Sequence, residues 1–247
     1  LFKADVFIAS DGPRIHPEKP TIFMGSRGVF NFIMRLNIHD GGHHSGNWGG
    51  LLTNPGVIMA HAIASMIDKN GKILVEGWRN TKIPGSVRSA IAKLEVSGGE
   101  NAPQINPNWG EPNMTLGERV FASNTFEIRA FETGNPKSPA NAIPPSALVY
   151  GHLRYVVGTD VNQLMPLLRK HLDWHGFEDI EIIGERDPMY ATRLDPEHPW
   201  AQWTIASLNK TNGASISVIP NLGGSLPNDV FADVLGLPTI WVPHSYA

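Results

Sequence analysis

The densest polar stretch of the chain is Asp40-Gly41-Gly42-His43-His44-Ser45-Gly46-Asn47-Trp48-Gly49-Gly50. Paired imidazoles among glycines let a ligand approach the backbone closely. Asp40, His43 and His44 could supply metal ligands, but zinc needs three or four that converge, and neighbouring histidines in an extended loop point apart. A hairpin loop with surface histidines is the plain alternative. In Leu148-Val149-Tyr150-Gly151-His152-Leu153-Arg154-Tyr155, strand alternation puts Tyr150, His152 and Arg154 on one face. A guanidinium there can hold a carboxylate through two N–H groups; an exposed face with a surface ion pair is the alternative. Asn221-Leu222-Gly223-Gly224-Ser225-Leu226-Pro227 sits between a strand pattern and a helix pattern. Ligands and anions collect at such turns in α/β layers, although a tight turn capped by Ser225 reads equally well. Asp11, at the end of an apolar run, is a possible metal ligand or the opening residue of an Asp-Gly-Pro turn.

These residues must be carried by regular elements. Ala4–Ala9 reads as a short strand and Val29–Ile38 as a half-buried one, with Phe30, Phe32, Met34, Leu36 and Ile38 in alternation. Asn54-Pro55 opens a helix that Asn70-Gly71 ends. Residues 72–122 read as irregular, with one amphipathic piece near Pro84–Leu94 and a loop over Asn101–Glu111. Thr125–Phe131 and Leu148–Val157 are strand patterns. Leu164, Leu167, Leu168 and Leu172 mark a helix, and Ile180–Ile183 a strand. The order strand, helix, strand, strand, helix, strand is the split βαβ (ferredoxin-like) pattern: an antiparallel sheet with both helices on one face. Beyond it, helices over Pro199–Leu208 and Pro227–Leu235 alternate with strands over Ser215–Ile219 and Thr239–Val242. This predicts a parallel α/β layer that residues 1–24 could join. The fold class is thus an α+β unit inserted into part of an α/β domain.

The 247 residues suffice for one large domain or two ordinary ones. A net charge of −3 excludes a strongly basic nucleic-acid surface as the default. No apolar run approaches the ~20 residues that span a bilayer. The absence of Cys excludes disulfides and thiol catalysis, and a cytoplasmic location is expected. Leu1 at the start and Ala247 at the end read as cuts through a longer chain.

Pro20-x-Ile22-x-x-Gly25-x-Arg27-Gly28, His44-Ser45-Gly46-x-x-Gly49-Gly50, Asn141-x-Ile143-Pro144, Arg154, Gly223-Gly224-Ser225-x-Pro227 and Leu235-Gly236-Leu237-Pro238 follow one another in this order. Together they resemble the di-zinc exopeptidases and amidohydrolases typified by aminoacylase, glutamate carboxypeptidase, succinyl-diaminopimelate desuccinylase and carnosinase, and the carnosinase-like dipeptidases most. The resemblance implies an aminopeptidase-like catalytic domain (residues 1–23 and 196–247) interrupted by a lid and dimerisation domain (24–195, with an insertion at 72–122). It places Asp11 as an acidic ligand of one zinc, and His44 as the lid histidine that reaches the partner's active site to polarise the scissile carbonyl. Asn141 and Arg154 fall on residues that hold the substrate's carboxylate end, and Gly224 and Ser225 on the loop lining the pocket.

The family's His-x-Asp pair, bridging Asp, Glu-Glu pair and last His ligand are expected outside this chain, and His244 is not expected to be that last ligand. The implied activity of the complete protein is zinc-dependent hydrolysis of a dipeptide or N-acyl amino acid by a homodimer using two zinc ions. No stoichiometric metal is expected on this chain alone, and neither nucleic acid nor membrane is an expected partner. The rival reading is a non-catalytic dimerisation or binding module.

Overall fold

The computed structural model describes residues 3–15, 18–80, 82–96 and 102–246. Leu1, Asn101 and Ala247, which the sequence reading touches, lie outside them. The alternating pattern from Val29 becomes the ten-residue strand Gly28–Asn37. It pairs antiparallel with Ser146–Tyr155 over its whole length, from Gly28 opposite Tyr155 to Asn37 opposite Ser146. Thr125–Thr133 pairs with the other side of Ser146–Tyr155, with a bulge between Ile128 and Ala130. Glu181–Gly184 pairs with the outer side of Gly28–Asn37. The sheet order is therefore 181–184, 28–37, 146–155, 125–133, antiparallel throughout.

Along Ser146–Tyr155 every second residue is buried, because successive strand side chains point to opposite faces. The buried set meets two helices. Pro55–Met66 is capped by the Asn54 side chain, which accepts from the Gly56 and Val57 N–H groups. Val161–Trp174 is capped by Asp160 and carries Pro166 in its second turn. The shared core contains Phe32, Met34, Leu153, Leu164, Leu168 and Leu172. Trp78 joins it from the 72–122 segment, with its ring 5.6 Å from those of Phe32 and Phe126 and its indole N–H on the Leu164 carbonyl (2.9 Å).

The second sheet is built from three-residue strands in the order Phe7–Ala9, Thr239–Trp241, Thr21–Phe23, Ser217–Ile219. The expected parallel layer is corrected here. The outer pairs are parallel, but Thr239–Trp241 and Thr21–Phe23 meet antiparallel. A parallel partner needs a long crossover, and the short link from Ala9 to Thr21 brings the chain back in the opposite direction. Phe23, Ile219 and Trp241 form a second core with Val87, Ile91 and Phe121.

Those last residues bear on the reading of 72–122: the amphipathic piece near Pro84–Leu94 is the helix Gly85–Ile91, and the irregular reading of the rest is corrected by a second helix, Leu116–Phe121. Thr115 and Glu118 form a reciprocal capping box at the start of the second, a signal present in the sequence. The segment divides between the cores, Ile73, Val75 and Trp78 joining the first and Val87, Ile91 and Phe121 the second. The expected helix over Pro227–Leu235 is not formed. A single π-helical turn, Val230–Val234, stands there. Asn228 is drawn into the interior by bonds to Thr192, Thr239 and Trp241, and although Phe231 stacks on Phe7, Val230, Val234 and Leu235 stay exposed and add no apolar stripe for further turns.

Candidate functional site

The open face of the antiparallel sheet carries the polar residues. Asn31 and Glu127 lie opposite His152 on its two neighbouring strands, and Val29 and Thr125 lie opposite Arg154. Tyr150 lies under the guanidinium of Arg129 at 5.9 Å, and Arg129 forms an ion pair with Glu185. Arg154 is different: among the described residues no carboxylate pairs with it. Its Nη1 donates to the Ser225 hydroxyl at 2.7 Å. The loop after Ser217–Ile219 thus meets the sheet at the residue that could clamp an anion.

Electrostatics set this patch apart. Burial, with the charge of Arg154 behind it, lowers Arg27 to about 10, partly offset by Glu127. Burial also lowers Arg154. It raises Glu127 against the pull of Arg27. Burial, followed by the charges of Arg154, Arg129 and Arg27, pushes His152 down to about 4, so at neutral pH its imidazole is uncharged beside three guanidiniums. Half-desolvated cations without a full complement of anions favour an anionic ligand.

The other candidates form a second cluster. His43–His44 pairs antiparallel with Ala142–Ile143, and the Asn141 carbonyl accepts from the N–H (2.9 Å) and the hydroxyl (3.0 Å) of Ser45. His44 and Asn141 are both exposed. The Nδ1 of His44 accepts from the Gly46 N–H at 3.1 Å, which makes Nε2–H the donor of a neutral ring. His43 lies edge-on to His39 and Trp48. This cluster lies beyond the Asn37–Ser146 end of the ladder, whereas Arg154 lies at the Gly28–Tyr155 end. Ser146 and Arg154 alone are separated by roughly 26 Å of strand at ~3.3 Å per residue.

Asp11 is exposed at the end of Phe7–Ala9. Its carboxylate accepts from the N–H of Gly12 at 2.6 Å. Gly12 has φ +80°, and a Cβ there would lie 2.9 Å from the Phe23 ring, so this turn requires glycine. His244 sits at the same edge, with Nδ1 2.8 Å from the Ser10 hydroxyl. Among the described residues no three His, Asp or Glu side chains converge as a metal site, so Asp11 and its neighbours do not by themselves present a donor set for two zinc ions. Gly224 is exposed and Ser225 half-buried.

Sequence reasoning gave no role to Arg27, Asn31 or Glu127. Asn31 shares its strand's polar alternation and was findable. Arg27 lies in the Gly25–Gly28 motif, where Gly25 (φ +152°) passes so close to the Thr192 carbonyl that a Cβ would collide with it. Nothing local, however, announces where the Arg27 guanidinium goes.

The model of the M20 peptidase dimerisation domain matches residues 24–180, more than half of the chain, and the chain belongs to that family. It is similar to the Cysteinylglycine-S-conjugate dipeptidase of Corynebacterium striatum, 23% identical over 232 residues, which cover 92% of this chain and 50% of that protein. It also resembles the Beta-Ala-His dipeptidase of Homo sapiens, 34% identical over 80 residues, or 32% of this chain and 16% of that one. Among solved structures it superimposes on an M20 family metallo-carboxypeptidase from Sulfolobus solfataricus with a TM-score of 0.78 and 25% identity, over 97% of this chain and 55% of that chain. The chain spans about half the length of the Corynebacterium and Sulfolobus proteins.

Proposed function

We propose that the complete protein hydrolyses the amide bond of a small dipeptide or N-acyl amino acid with the help of bound zinc, and that this chain supplies a split βαβ lid, a homodimer interface and the pocket for the substrate's carboxylate. The observation that carries this reading is Arg154, half-buried, without a carboxylate partner among the described residues and steadied by Ser225. A guanidinium so placed binds a free carboxylate through two charge-assisted hydrogen bonds. Gly224 leaves the adjoining loop open to a ligand, and Asn141 is assigned to the same carboxylate end from a second copy of the chain.

His44 and Asn141 lie beyond one end of the ladder and Arg154 at the other, so a single copy does not present them to one small substrate. A second copy can. Thr125–Thr133 is an edge strand whose residues from Arg129 to Thr133 are exposed, Phe131 among them, and unpaired edges invite pairing. In this reading the Nε2–H of His44 donates to the oxyanion developing in the partner's site, a contribution worth roughly 10²–10³-fold in kcat. Bound metal ions would supply the activated water and carbonyl polarisation. Asp11 is this chain's ligand for one of them, and the other ligands belong to parts of the protein outside this chain.

The test compares a dipeptide bearing a free C-terminal carboxylate with its C-terminal amide, using the full-length, metal-loaded protein. Wild type should prefer the carboxylate, and Arg154→Ala should remove roughly 10- to 150-fold of that preference, the range for hydrogen bonds to a charged group. An unchanged preference sinks the carboxylate assignment. A protein that dimerises but hydrolyses no dipeptide or N-acyl amino acid would be the non-catalytic module instead.

A further inference from the structure

Arg27 is a buried cation that the proposed chemistry leaves without a task. The residue is 8% exposed, and among the described residues it forms no ion pair. Its guanidinium is spent on neutral acceptors: Nε donates to the Gly223 carbonyl at 2.7 Å, and Nη1 to the Thr125 hydroxyl at 3.1 Å and the Ser123 carbonyl at 3.4 Å. Burying a charge on such partners is costly, so the geometry they enforce calls for an explanation.

The acceptors are not scattered. Thr125 is the residue opposite Arg154 on the neighbouring strand. Gly223 lies two residues before Ser225, whose hydroxyl receives the Arg154 guanidinium. The backbone around Arg27 holds the same loop. The Arg27 N–H donates to the Leu222 carbonyl, and the Leu222 N–H to the Gly25 carbonyl. The Ser26 hydroxyl accepts from the Leu226 N–H at 3.2 Å. The loop is therefore tied down at Leu222 and Leu226. Between these ties Gly223 and Gly224 contribute no side chain, and among the described residues the side-chain hydrogen bond on that stretch of backbone is the one from Arg27 Nε to the Gly223 carbonyl, beside which the Val120 side chain packs.

We propose that Arg27 is a positioning residue for the carboxylate pocket: by gripping the Gly223 carbonyl and the Thr125 hydroxyl at once, it sets the Ser225 hydroxyl and the Arg154 guanidinium in their binding geometry. This rests on the reading of Arg154 as the carboxylate site. A rigid planar fork can join two acceptors on separate segments, and a lysine ammonium on its flexible stem cannot hold both in one fixed geometry. The charge of Arg27 adds to the positive potential at Arg154, but the fork is the distinguishing element, because Lys keeps the charge and loses the geometry.

The experiment uses the full-length, metal-loaded protein and measures KM and kcat for the free-carboxylate dipeptide and its amide, with a thermal melt of each variant. Arg27→Lys should raise KM for the carboxylate substrate roughly 3- to 30-fold, the size of coupling within one hydrogen-bond network, leaving KM for the amide and both kcat values within about twofold. Thr125→Val, which removes one acceptor without touching a charge, should act in the same direction more weakly. Arg27→Lys added to Ser225→Ala should cost less than the product of the two single effects.

Three outcomes overturn the proposal: a wild-type carboxylate-to-amide ratio in Arg27→Lys, equal loss on both substrates together with a lowered melting temperature, or strict multiplicativity with Ser225→Ala. Should Arg27→Lys fail to fold, Thr125→Val decides, and an unchanged ratio there refutes the role. If Arg154→Ala itself leaves the ratio unchanged, the carboxylate reading falls and the role of Arg27 with it. If Arg154→Ala collapses the ratio while the Arg27 and Thr125 variants do not, only the positioning role falls.

Discussion

The long antiparallel sheet and the short mixed sheet are held together by different means. The first has three strands of nine or ten residues and one apolar core beneath them, in which Phe32, Trp78 and Phe126 touch one another ring to ring. The second has strands of three residues drawn from two distant parts of the chain, 7–23 and 217–241. Three residues bury little apolar surface, and polar cross-ties make up the difference. Asn228 is fully buried, its amide N–H groups donating to Thr192 and Thr239 and its carbonyl accepting from the Trp241 indole N–H at 2.7 Å. Ladder length gives the first sheet a self-sufficient core; the second depends on specific hydrogen bonds, and its loops are free to carry a binding function.

The comparison breaks most visibly at Trp78. Trp78→Ala should destabilise by about 3–5 kcal/mol in denaturant unfolding, and a smaller loss than the substitution at Asn228 would contradict an aromatic core as the main support. Asn228→Leu keeps the branched outline with the same number of heavy atoms and removes the polar hub, leaving the buried Trp241 N–H without its acceptor. A loss of about 1–3 kcal/mol is expected, and a neutral result would show the short sheet to be held by apolar packing alone. Thr115→Ala removes the capping box that holds Leu116–Phe121 against the second core; a loss of about 1 kcal/mol in the same assay is expected.

The open face of the long sheet carries a pH effect. His152 titrates at about 4 in the folded protein against about 6.5 in an unfolded chain. Between those values the unfolded form binds more protons. The stability that neutral His152 allows is therefore intact above about 6.5 and is lost as pH falls toward 4. Unfolding free energies of wild type minus His152→Asn should decline through that window, and a flat difference would show that the imidazole is not desolvated. The smallest effect belongs to the exposed Arg35–Glu181 pair at 3.4 Å. Arg35→Gln should cost no more than about 1 kcal/mol and less still in high salt, because register there is set by the ladder.

Much of the long sheet was legible beforehand. Alternation from Phe30 to Leu36 and the Asn54-Pro55 start are local signals, and ladder and helix follow from them. Short apolar runs placed three of the four strands of the mixed sheet but not Thr21–Phe23, and the parallel direction expected of the layer fails where that strand meets Thr239–Trp241, since a three-residue strand carries no sign of its partner's orientation. The helix expected after Pro227 failed because Asn228 was claimed by residues elsewhere in the chain. At the site, Tyr150, His152 and Arg154 share a face by periodicity alone, whereas Arg27, named in the motif, carried no sign of its acceptors.

Family membership, the three long strands of the antiparallel sheet with the helices that begin at Pro55 and Val161, and the face on which Arg154 stands were determined by the sequence itself, because each rests on residues at most a few positions apart or on a linear order of motifs. Only the tertiary structure decided that Arg154 meets Ser225 across 71 positions and that Arg27 meets Gly223 across 196. It also decided that His44 and Asn141 gather beyond the far end of the same ladder. The entropic cost of closing a loop grows only slowly with its length, so sequence distance hardly discriminates among such meetings. They are selected by which buried donors find acceptors once the two sheets have packed.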